Sequence, residues 1–261
     1  MFIDSHCHFN FDCFDENRSA LIAQLAGINI QKLMIPGTDA KRWSEIIDLA
    51  YQNNNIYFSL GIHPHFLGSF EEQHLSLLKK LLTLESKKLD CKCVALGEIG
   101  LDKSLDLNMA LQEDAFLAQL EIAQSLQLPV ILHIVKTQSR VLQLLKQVKF
   151  SNGGIYHAFS GSEEVANEFI KLGFKLGIGG VITYPNATKT RSTVSKLPLS
   201  SLVLETDAPD MPVYQQSSAN NSPANLLVVY NALCKLRKES AKLVEQHLYL
   251  NTKSILSITH D

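Results

Sequence analysis

Pro129-Val130-Ile131-Leu132-His133-Ile134 is the stretch whose reading decides the fold. Apart from one histidine it is apolar on both faces, as expected of a strand covered on both sides in a parallel sheet. Seven further short runs match it, at residues 2–5, 32–36, 56–61, 94–97, 154–157, 174–177 and 202–206. Amphipathic stretches alternate with them. Residues 40–52 place Trp43, Ile46, Ile47 and Ala50 on one helical face, and residues 109–126 do the same with Leu111, Phe116, Leu120 and Ala123. Residues 138–148, 164–172 (stopped by Gly173), 223–237 and 239–250 complete the helical segments. This alternation predicts a (β/α)8 TIM barrel, read as one domain over residues 1–261. A doubly wound open sheet is the rival arrangement of the same units.

Composition narrows the function. With 46% hydrophobic and 19% charged residues, the chain is not disordered. It has no apolar run near the ~18 residues that span a membrane. Its first residues lack the basic and apolar parts of a signal peptide, so a cytoplasmic location is expected. Five scattered cysteines then read as reduced thiols, the Cys91-x-Cys93 pair included, because that pair precedes its strand. A formal net charge of −2 lacks the basic excess of a protein that wraps a long duplex, so any nucleic acid is contacted locally. Nothing calls for an obligate protein partner. Residues 211–222 read as a surface loop.

The chemistry gathers at strand ends. His6 and His8 follow the first run, His63 and His65 the third, and Glu98 and Asp102 the fourth. His133 lies in the fifth run, His157 closes the sixth, and Asp207 follows the eighth. In a barrel these ends surround one mouth. His6 and His8 share a strand face and can grip one cation. With His133, His157, Glu98 and Asp207 they make a donor set suited to two divalent cations, which Glu98 can bridge. Asp207 is also the candidate catalytic base, taking the proton of a water whose pKa a cation has lowered. Each site also has a structural reading: His157 as a hydrogen-bonded histidine, Asp207 as a turn cap. Six such readings at once are harder to sustain.

Weaker candidates surround this set. His63 and His65 are expected at the mouth as substrate contacts, and Asp4 as a partner supporting the histidines. Gly177, Gly179 and Gly180 loosely suggest a phosphate loop, with Lys136, Lys189 and Arg191 as nearby cations. His74, His247 and His260 read as surface residues.

Several segments together resemble the TatD family of metal-dependent hydrolases. They are Phe2-Ile3-Asp4-Ser5-His6-Cys7-His8, Gly61-Ile62-His63-Pro64, Gly97-Glu98-Ile99-Gly100-Leu101-Asp102, Pro129 to His133, His157-Ala158-Phe159-Ser160-Gly161-Ser162 and Glu205-Thr206-Asp207-Ala208-Pro209. The resemblance implies an amidohydrolase-like barrel with His6, His8, Glu98, His133, His157 and Asp207 as metal ligands, Glu98 bridging, and His63 beside the site. It implies two divalent ions (zinc, manganese or magnesium) and a phosphodiesterase or deoxyribonuclease acting on DNA ends. Two departures stand out. Asn220-Asn221-Ser222-Pro223 lacks the arginine of the family's Arg-Asn-x-Pro element, and Lys103 stands where relatives often carry an aromatic. Hydrolysis of a small-molecule amide, ester or lactone is therefore the alternative, and a non-catalytic, metal-stabilised binding barrel is the reading from another class.

Overall fold

The computed structural model describes residues 1–216 and 220–258. Its strands are β1 (Phe2–Asp4), β2 (Ile30–Ile35), β3 (Ile56–Leu60), β4 (Cys93–Asp102), β5 (Val130–Val135), β6 (Gly154–Tyr156), β7 (Phe174–Ile178) and β8 (Leu202–Leu204). They pair in parallel and in sequence order. Between β8 and β1 the ring closes through Ser5 N–H donating to Leu204 O (3.0 Å) and Asp207 N–H donating to His6 O (2.8 Å). This is the (β/α)8 barrel, not the open sheet.

The helices are α1 (Arg18–Gly27), α2 (Trp43–Gln52), α3 (Glu72–Glu85), α4 (Met109–Ser125), α5 (Gln138–Gln147), α6 (Glu163–Lys171), α7 (Thr188–Lys196), α8 (Leu226–Leu236) and α9 (Ala241–Ile255). Three of them, α1, α3 and α7, stand where the sequence analysis assigns none. Leu111, expected on the buried face of α4, is exposed, while Phe116, Leu120 and Ala123 are buried as expected.

Two apolar clusters show how the pleat sorts side chains. Phe2, Leu33, Ile35, Phe58, Leu96, Val130, Leu132 and Leu202 pack in the larger cluster, together with helical residues such as Trp43, Phe116 and Leu144. Their strand neighbours Ile3, Met34, Tyr57, Ala95, Ile131, Ile155 and Val203 form a second cluster with Leu256 and Ile258 from the end of the chain. Alternate residues on a strand point to opposite faces, so the second cluster fills the barrel interior and the C-terminal residues plug it.

The same alternation carries His133, His157 and Glu205 inward, each an even number of residues beyond an interior residue. Glu98 is different. From Ala95 inward, strict alternation would aim residue 98 at the helices. The β4–β5 register shifts between Leu96↔Val130 and Ile99↔Leu132, three steps on one strand against two on the other. One extra residue reverses the facing of everything beyond it. Ile99 and Leu101 therefore join the outer cluster, and Glu98 turns to the interior. This corrects the expectation that the fourth strand ends at Gly97: it continues through Glu98 to Asp102. Gly100 lets the two strands meet closely, since a Cβ there would lie 1.8 Å from His133 O.

Candidate active site

The C-terminal ends of the strands open into a cavity of about 630 Å³. Glu98, almost fully buried, lies at its floor. Its Oε2 is 3.2 Å from His6 Nε2 and 3.7 Å from His8 Nε2. Its Oε1 is 3.0 Å from His133 Nδ1, 3.5 Å from His63 Nε2 and 3.7 Å from His157 Nε2. One carboxylate thus faces two groups of imidazoles, one through each oxygen. Asp207 extends the first group, with Oδ1 3.5 Å from His6 Nε2 and 3.4 Å from His8 Nε2. Its Oδ2 is 3.8 Å from His157 Nε2.

Burying a carboxylate costs several kcal/mol without compensation. Burial alone would raise the Glu98 pKa, yet His6, His63 and His157, with the His133 hydrogen bond, hold it well below the usual carboxylate range. Asp207 behaves alike: burial is outweighed by His157, His8 and His6. Both are carboxylates at neutral pH. For His157 burial opposes the proton, but Asp207, Glu205 and Glu98 prevail and push its pKa up to about 10. Burial takes His63 down to about 4, and burial and the adjacent His157 lower His6.

The hydrogen bonding of this floor is incomplete. His6 Nε2 is close to Glu98 but out of line for a hydrogen bond, and both His6 nitrogens are buried without one among the described residues. His8 Nδ1, Asp207 Oδ1 and Glu205 Oε2 share that condition. Buried polar atoms of this kind ordinarily have partners. Imidazole and carboxylate donors aimed at common points, with His6, Glu98 and His157 in one group and His6, His8 and Asp207 in another, fit a metal site.

Two carboxylates outside the expected donor set hold these imidazoles in place. Glu205, fully buried, lies with Oε1 3.1 Å from His157 Nδ1 and accepts Ala158 N–H at 2.6 Å. Asp102 Oδ2 is 3.1 Å from His133 Nε2 and 3.3 Å from His65 Nε2, while its Oδ1 accepts Ser104 N–H at 2.7 Å. Such contacts fix ring orientation. Their spacing is a usable signal: Glu205 lies two residues before Asp207, and Asp102 four after Glu98. Thr38 is a further omission, buried at the cavity wall with its hydroxyl unpartnered among the described residues.

Several expectations are corrected. Asp4 contacts no imidazole among the described residues; it accepts His6 N–H (3.2 Å), Thr206 N–H (3.0 Å) and the Thr206 hydroxyl, clamping the β8–β1 seam. Burial pushes its pKa up to about 8. Arg191 does not line the cavity: it sits on α7, its Nη1 donates to Ile182 O, and it borders a different concavity. Lys189 is exposed on the same helix. Of the three glycines after β7, Gly177 and Gly180 make room for close neighbours. A Cβ on Gly177 would lie 2.1 Å from Glu205 Oε2, and one on Gly180 2.5 Å from Met211 O. The loop after β8 is anchored at Asn221, buried, whose amide donates to Thr206 O (2.9 Å), Asp210 O (2.9 Å) and Met211 O (3.2 Å).

The other candidates lie as follows. His63, His65 and Lys136 line the cavity, with His65 half-exposed at the rim. Cys93 is buried and Cys91 half-buried, and burial raises both thiols. His74 and His247 are half-buried, His74 accepting Glu71 N–H at the start of α3. His260 lies outside the described residues. None of the helices among the described residues is long and apolar enough to cross a membrane.

A parallel α/β barrel whose mouth gathers histidines around a shared carboxylate defines a class, the barrel-type metal-dependent hydrolases. The family model described as TatD related DNase matches residues 3–257, and the chain belongs to that family. It is 38% identical over 258 residues to the uncharacterized metal-dependent hydrolase YjjV of Escherichia coli K12, covering 98% of each chain. The crystal structure of that protein superposes with a TM-score of 0.94, over 99% of this chain and 98% of the other. A 3'-5' ssDNA/RNA exonuclease TatD from Cronobacter sakazakii is 31% identical over 199 residues, 75% of this chain and 73% of that one.

Proposed function

We propose that this hydrolase is a divalent-metal-dependent phosphodiesterase that removes nucleotides from DNA ends. One observation carries the reading: Glu98 presents its two oxygens to separate imidazole groups, with Asp207 beside one of them, at the floor of an open cavity. His6, His8 and Asp207 would hold one cation, His133 and His157 a second, and Glu98 both. When bound, such ions supply Lewis acidity at a phosphoryl oxygen and bring the pKa of water near neutrality. The exonuclease relative supports nucleic acid as the substrate class.

The chain's own groups have separable tasks. Asp207 stays ionised, and as a carboxylate beside the cation it would take the proton of the attacking water. Glu205 and Asp102 keep His157 and His133 turned toward Glu98. Lys136 supplies the permanent positive charge among the described lining residues, placed to meet a phosphate.

With magnesium, manganese or zinc restored after EDTA treatment, release of nucleotides from single-stranded DNA is the expected result. Carboxyl esters and lactones assayed in parallel address the second reading, hydrolysis of a small molecule. That reading is favoured by the scarcity of cations around the cavity, where Lys136 is the one Lys or Arg among the described lining residues. Turnover of the esters alone would replace the first reading with the second.

A further inference from the structure

The loop after β8 borders two concavities. Asp210 and Met211 line the cavity of the candidate active site, and Tyr214 lines a second one of about 450 Å³. Tyr214 is the third residue after Met211, so their Cα atoms are at most about 11 Å apart. The second concavity also takes in Thr183, Arg191, Val228 and Lys235.

Tyr214 is held firmly although its side chain faces solvent. Its N–H donates to Thr183 Oγ1 (2.8 Å), which itself donates to Gly180 O (2.6 Å). Tyr184 reaches across with its hydroxyl donating to Pro212 O (2.9 Å), and the two rings meet edge to face at 5.5 Å. Tyr214 nevertheless keeps 44% of its surface exposed. Arg191 is oriented by its bond to Ile182 O, which leaves other guanidinium N–H groups to donate. Neither Arg191 nor the exposed Lys235 is paired with an acid among the described residues. A pre-oriented aromatic face beside two unpaired cations matches the stacking-plus-phosphate chemistry of single-strand binding. A duplex keeps its bases stacked and offers no free face to such a ring.

We propose that this concavity is a subsite for a single-stranded polynucleotide, in which a base near the scissile bond stacks on Tyr214 and adjacent phosphates meet Arg191 and Lys235. The proposal rests on the phosphodiesterase reading, which brings a strand to the neighbouring cavity. It also supplies an aromatic platform in a chain that carries the exposed Lys103 after Gly100-Leu101-Asp102.

Fluorescence anisotropy of a dye-labelled, hydrolysis-resistant phosphorothioate oligothymidylate with the protein as purified tests it. Tyr214→Ala is expected to weaken binding about tenfold, while Tyr214→Phe, which keeps the stacking face, binds like wild type. Lys235→Ala is expected to lower the salt dependence by about one phosphate contact. Melting temperatures establish that each variant is folded. Wild-type affinity in Tyr214→Ala, equal losses in the Ala and Phe variants, or no binding by wild type would each overturn the subsite. Hydrolysis of unmodified strands by wild type is scored separately. Tyr214-dependent binding without hydrolysis would remove the phosphodiesterase reading and leave the subsite standing.

Discussion

The lower and upper halves of the barrel interior are built by opposite rules. Below, Ile3, Met34, Ile131, Val203, Leu256 and Ile258 bury apolar surface and need no partners. Above, the same strands end in imidazoles and carboxylates, several of them buried and without hydrogen bonds among the described residues. The lower half stabilises the fold, and the upper half spends part of that stability on a preformed donor set. The two halves are therefore expected to fail differently when altered. Glu98→Gln should give the largest effect, a loss of hydrolysis of roughly a thousandfold or more, since both imidazole groups lose their shared ligand. Without added metal the variant should stay folded at a lowered melting temperature, because the buried, protonated His157 loses one of its three carboxylates. Unfolding of this variant would show that the upper half is structural.

The converse test lies one layer down. Ile131→Ala should cost about 2–4 kcal/mol, from lost transfer energy and the cavity left behind. For a chain of this size that lowers the melting temperature by roughly 5–15 °C. Turnover per folded molecule should stay near that of wild type. A lost kcat with an unchanged melting temperature would erase the distinction between the halves. A smaller effect is expected at the supports: Asp102→Asn should weaken metal binding about 10–100-fold by freeing the His133 ring, measurable by chelator competition.

The strands of the lower half are legible in the sequence because short runs apolar on both faces are a local pattern, whereas the plug of Leu256 and Ile258 is not. The convergence of His6, His133, His157 and Asp207 is legible too, once eight strands are assigned to a barrel. What escaped depends on features that leave little local trace. The extra residue in β4 that turns Glu98 inward is a property of pairing with β5, not of either strand alone. The place of Arg191 is not legible because α7, Thr-Lys-Thr-Arg-Ser-Thr-Val-Ser-Lys, has almost no apolar stripe to mark it as a helix. The position of Asp4 beside His6 and His8 suggests a partner of the histidines, whereas the closing seam gives its carboxylate backbone N–H groups instead. Asp102 and Glu205 were present in the quoted motifs, and only the geometry gives them imidazoles to hold.

The last expected effect is on metal affinity against pH, and its sign follows from His157. An unfolded histidine titrates near 6.5, whereas burial, outweighed by Asp207, Glu205 and Glu98, leaves this one at about 10. Its proton therefore stabilises the metal-free fold fully below about pH 6.5, and that contribution is lost as pH rises toward 10. Glu98 and Asp207 act in the other direction: their depressed pKa values contribute stability above the ordinary carboxylate range, lost as pH falls. A cation held through His157 Nε2 must displace the proton, since coordination needs the neutral ring. Affinity should then rise roughly tenfold per unit between about pH 7 and 9, with about one proton released on binding. Chelator competition across that range gives the slope, and calorimetry in buffers of different ionisation enthalpy counts the proton. Glu205→Gln, which removes one of the three carboxylates, should shift the rise to lower pH. A flat profile in wild type would take His157 out of the donor set and place the second cation, if any, on His63, Glu98 and His133, which converge equally well.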